Sequence, residues 1–180
     1  MKLFKFLILP ILFMGCSQKT ISYNKLDKLK SSSSTKDCSD LITKLNLSCN
    51  ECYYKERELR GATSKTKMIY MNLEKRGLIY SDTNPNIMDL IFFDNTYDAN
   101  RDGILNDELT HIGVVTSLDN NRVGFLHNIR GKNIDGYIDL AQKDNQRTNS
   151  YIRVCKQKEK KLDCLTSNNF RAYGRLEKRE

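Results

Sequence analysis

Histidine is scarce in this chain: among 180 residues there are two, His111 and His127. Imidazole chemistry, whether proton transfer or metal ligation, is confined to them. Long apolar runs are equally scarce, and beyond the first residues no stretch is long enough to cross a bilayer. There is no internal repeat and no nucleic-acid-binding motif. The formal charge is +8, but lysines and arginines are scattered among acidic residues, so nucleic acid is not an expected partner. Anionic cell-wall polymer or lipid head groups suit such a surface better in an exported protein, and a merely solvated basic surface is the plainest reading. "CNEC" (49–52) has no thioredoxin-like βαβ pattern around it, which argues against a redox role.

What is present begins at the N-terminus. "MKLFKFLILPILFMGCS" combines Lys2 and Lys5, a short apolar run and Gly15-Cys16, the layout of a secretory signal. A small residue before cysteine at the end of the run resembles a bacterial lipoprotein signal. That resemblance implies cleavage before Cys16, acylation of its sulfur with chains such as palmitate, and attachment to a membrane. In a Gram-negative host, Ser17 in place of an aspartate implies sorting to the outer membrane, facing the periplasm. An ordinary signal with a coincidental cysteine is the alternative. Removing residues 1–15 lowers the charge to +6. Residues 16–36, with Ser31–Ser34, read as a polar tether, and 37–180 are enough for one domain with its own core.

Within that domain helices come first. Apolar positions 41, 42, 45 and 49 follow helical spacing from Asp37, which suits the N-cap, with Asp40 at the third helical position. A second helix is expected over about 64–76, stopped by Gly77. The period then changes: 89–93, 111–118, 122–129, 136–140, 151–156 and 170–176 read as strands between Asn, Asp and Gly turns. Helices followed by an antiparallel sheet make an α+β domain.

Cys38 opens the first helix, where free backbone N–H groups and the helix dipole favour a thiolate. A nucleophile needs a base, and His111 and His127 lie on strands joined by "LDNN". The even sum of their numbers places both rings on one sheet face if the loop between the strands is odd in length, and on opposite faces if it is even. In the first case a cysteine, a base and an orienting group are available. In the second they are two unrelated histidines and a structural cysteine.

"DCSDLI" resembles the DCSG-plus-aliphatic signature of the NlpC-type cell-wall cysteine peptidases, a papain-like superfamily that includes the CHAP amidases. "NPNIMDLIFFD" (84–94) resembles the proline, spacer and GDL-aliphatic-FF strand that follows there. "THIGVV" and "VGFLHNI" resemble its HVGI strand and the strand carrying its third polar residue, and "CLTSNNFRAYGRL" resembles the closing strand of a CHAP-like subgroup. The resemblance covers about residues 37–130. It implies a papain-like fold with Cys38 as nucleophile, His111 as base and His127 as orienting residue. Asp40 and Met88 stand where that pattern has glycine. Its upstream tyrosine and double glycine have no counterpart in 22–36, Tyr23 being only a distant one. The backbone N–H of Cys38 or Ser39 is left to receive the oxyanion.

Between two strands lies "DANRDGILNDE" (98–108). Asp98, Asn100, Asp102 and Asn106, with Gly103 at the sixth place, follow the first nine positions of an EF-hand-type calcium loop, but the twelfth is Leu109. Weak calcium binding and a metal-free loop braced by Asx turns are both open, and no cofactor is required by the chemistry. Of the remaining cysteines, Cys155 with Cys164 across a hairpin is the easiest disulfide and Cys49 with Cys52 a second. Cross-pairing and a four-thiolate zinc site are the alternatives.

These features lead to a lipid-anchored peptidoglycan hydrolase of the bacterial cell envelope, an endopeptidase or amidase cleaving a stem-peptide amide through Cys38. Two other readings share the fold: an inactive lipoprotein that binds wall or a partner, and a thiol acyltransferase or lipid-directed relative.

Overall fold

The computed structural model describes residues 38–45, 64–82 and 84–176, together with Asp27 and Lys30. The expectations for Cys16, Tyr23, Asp37, Cys49 and Cys52 lie outside the described residues.

Helix α1 spans Cys38–Leu45 and α2 spans Lys65–Lys75. In α1 the adjacent Leu41 and Ile42 are buried, and the helix packs on strands β3 and β4. In α2 the side chains of Thr66, Ile69, Tyr70 and Leu73 are buried, the i, i+3, i+4, i+7 stripe of a surface helix. Ser64 caps it by accepting from the Lys67 N–H at 3.2 Å. At the other end Gly77 has φ 68°, its N–H reaches the Glu74 carbonyl, and the Leu78 N–H reaches that of Leu73. This is a Schellman motif, which needs a left-handed residue where glycine stands.

Six strands follow: β1 Ile79–Tyr80, β2 Leu90–Phe93, β3 His111–Asp119, β4 Arg122–Ile129, β5 Lys132–Ile138 and β6 Phe170–Gly174. All neighbours are antiparallel, in the order β1-β6-β2-β3-β4-β5, so the last strand closes between β1 and β2. Both faces are covered. Leu90, Phe92, Ile112, Val114 and Leu126 pack against the helices, while Ile91, Phe93, Val115, Phe125, Ile138 and Tyr173 form a second core on the opposite face. Full burial of each such side chain contributes about 1.5–3 kcal/mol, which explains why β2 is apolar at every position.

Several expectations are corrected, and one alternative left open is decided. Residues 151–156 form no strand, only a bridge between Tyr151 and Leu165, and Cys155 and Cys164 are joined across turns and a 3-10 helix, Lys161–Cys164, instead of a hairpin. Strand β5 starts at Lys132, before the expected 136, and β1 is additional. Finally, the β3–β4 loop is even: Asp119 pairs with Arg122, leaving Asn120 and Asn121 between. By parity alone His111 and His127 should then be separated. A bulge prevents it: Val115 pairs with Phe125 and Ser117 with Gly124, leaving Thr116 as the extra residue. Beyond the bulge Gly113 faces His127, so His111 lies diagonal to His127 on the same face.

Candidate active site

The two histidines stand on the aromatic side of the sheet. His111 lies 6.2 Å from the Phe93 ring centroid and His127 5.0 Å from that of Phe125. His111 Nε2 is 2.8 Å from His127 Nδ1, with the rings nearly perpendicular. His127 is 1% exposed and His111 8%. Burial disfavours the charged imidazolium, and the neighbouring His127 adds to the effect on His111. Burial thus lowers His127 to about 4, while burial and then His127 lower His111 to about 3. At neutral pH both rings are neutral. With Nε2 of His111 committed to His127, a proton exchanged with the cleft passes through Nδ1.

Cys38, the first residue of α1, is half-buried, lies outside any disulfide and packs against the helix-side core. It and His111 line one cleft of about 380 Å³, to which Ser39 also contributes. Cys38, Ser39 and His111 therefore border one cleft, the thiol from the helix side of the sheet and the imidazole from the aromatic side, with His127 beside His111. Sequence reasoning missed the rest of the lining. Lys65 and Thr66 come from the start of α2, Thr110 and Tyr97 from the base of the insertion, and Asn128 and Arg130 from the end of β4. Polar residues at element ends carry no periodic signal, which is why they were not found.

The insertion forms the rim. Thr96 donates from its N–H and hydroxyl to Thr110 Oγ1, both at 2.9 Å, and Arg171 ties Asp94 to Glu108 at 3.3 and 3.2 Å. Asp98 accepts from the N–H groups of Asp102 and Gly103, Asn100 from Asp102, and Asp102 from Ile104. These are Asx-type turns, with Arg101 and Gly103 in the left-handed region. Asn106 lines a second lobe of about 250 Å³ that shares Ser64, Tyr97 and Thr110 with the first. Among the described residues, Cys155, Glu159 and Cys164 are the one group close enough to share a metal. The disulfide between the two cysteines removes them as thiolate ligands, and with them the four-thiolate zinc site.

Met88, where the resembling motif has glycine, has φ 78°. That is a left-handed backbone occupied by a residue other than glycine, at a strain of about 1–3 kcal/mol. Comparison with protein-family models, curated proteins and solved structures finds no match to this chain.

Proposed function

We propose that the protein is a lipid-anchored peptidoglycan hydrolase with a papain-like, NlpC-type catalytic domain, cleaving the amide between D-glutamate and the diamino acid of the stem peptide. The observation that carries this reading is the 2.8 Å contact between His111 and His127, with His111 and Cys38 lining one cleft. His111, kept neutral, acts as a base through Nδ1 and takes the thiol proton as sulfur attacks the amide carbonyl. His127 fixes the ring orientation and the Nε2–H tautomer. Backbone N–H groups of Cys38 or Ser39 receive the oxyanion. The proton passes to the leaving amine and a thioester forms on Cys38. Water, deprotonated by His111, cleaves the thioester and regenerates the thiol. Digestion of purified wall by the wild type and by Cys38→Ser, with mass analysis of soluble products, tests this. The expected result is paired products ending in glutamate and beginning with the diamino acid, from the wild type only. Equal digestion by the variant rejects the mechanism.

A further inference from the structure

The cleft bears two cations that the proposed chemistry leaves without a task. Lys65 and Arg130 stand in its lining, and among the described lining residues none is a carboxylate. Among the described residues neither cation belongs to an ion pair. Lys65 opens α2, whose first turn carries no acidic residue, so the helix dipole adds to the positive potential there.

Arg130 occupies a position with its own architecture. It and Gly131 form the two-residue β4–β5 turn, with φ 51° and 82°. Such a turn favours asparagine or glycine at its first place, and an arginine there carries left-handed strain. Buried Asn128 holds the turn: its Oδ1 accepts from the Gly131 N–H at 3.0 Å, and its Nδ2 donates to Asn133 Oδ1 at 2.9 Å. A strained residue braced at the mouth of a cleft is a common mark of a binding role.

We propose that Arg130 and Lys65 form a carboxylate subsite that reads a free carboxylate on the substrate residue whose carbonyl Cys38 attacks. The inference rests on the hydrolase reading and deepens it. A glutamyl residue linked through its side chain keeps its α-carboxylate within one side chain's length of the scissile carbonyl. Converting that group to a carboxamide preserves shape and removes charge, so the cleft should separate the two forms.

The test uses paired soluble wall fragments, identical except for a free carboxylate or a carboxamide at that residue. The full chain in detergent should cleave the free acid with a KM roughly tenfold lower. Arg130→Gln and Lys65→Gln should each raise KM for the free acid toward the carboxamide value, with kcat and melting temperature little changed. Arg130→Lys should recover much of the loss. Calorimetric binding of both fragments to Cys38→Ala measures the subsite without cleavage. Preference for the free acid there, lost in Cys38→Ala/Arg130→Gln, upholds the subsite even if the wild type cleaves neither fragment, an outcome that would reject only the hydrolase reading. Equal binding and equal cleavage of the two forms overturn the subsite and leave the hydrolase reading standing.

Discussion

His111 is held in its neutral form by burial and by a second imidazole, and that has a direct kinetic consequence. A general base works only while unprotonated, so the acid limb of kcat/KM falls at the base's value in the free enzyme. An exposed histidine would place that fall near 6.5. Here burial and His127 lower it to about 3, so activity should hold between pH 6.5 and pH 5 and fall only at lower pH. A half-fall near pH 6.5 in kcat/KM for a soluble wall fragment would contradict a base held neutral by burial and by His127. At this scale the cleft shared by Cys38 and His111 and the contact between the two histidines were legible, because a cysteine at a helix start and scarce imidazoles restrict the choice. Tyr97, Asn128 and Arg130 were not. They reach the cleft through a loop rim and a hairpin turn, neither of which leaves a pattern along the chain.

Among the elements, β2, β3 and β4 were readable because they are buried on a core and bounded by turn residues. Strand β5 begins with Lys132, Asn133, Ile134 and Asp135, three polar residues around one exposed isoleucine at a sheet edge, so its first half gave no apolar alternation. The segment 151–156 misled in the opposite direction. Its alternation imitates a strand, yet among the described residues it pairs only through the Tyr151–Leu165 bridge, and Val154 is 79% exposed. The bulge at Thr116 was also invisible, since a register shift depends on the partner strand. The sheet supports the site at Gly136, where an added Cβ would lie 2.5 Å from the Phe125 ring, and that ring packs on His127. Gly136→Ala should therefore cost about 1–3 kcal/mol in denaturant unfolding. Turnover should fall further than stability explains, because the displaced ring shifts His127. Unchanged turnover at lowered stability would mean that Phe125 does not position the histidine.

For the molecule as a whole, two connections beyond the strand ladders illustrate what holds the outlying segments. Lys30 pairs with Asp135 of β5 at 3.0 Å, an exposed contact worth about 0–1 kcal/mol. The Cys155–Cys164 disulfide closes a short loop beside the second core, and such a loop closure contributes about 2–3 kcal/mol by restricting the unfolded chain. Cys155→Ser/Cys164→Ser should lower unfolding free energy by that amount while leaving wall digestion intact below the melting transition. Loss of digestion in the still-folded variant would show that the disulfide loop takes part in the site.

The central claim, that Cys38 is the nucleophile, is tested most directly by alkylating the protein under non-reducing conditions in graded steps. Each sample is split between mass spectrometry of the modified site and digestion of purified wall. Residual digestion should fall in direct proportion to the fraction of Cys38 modified and reach zero when that thiol is fully blocked. Full digestion by a preparation whose Cys38 is wholly alkylated would contradict the account.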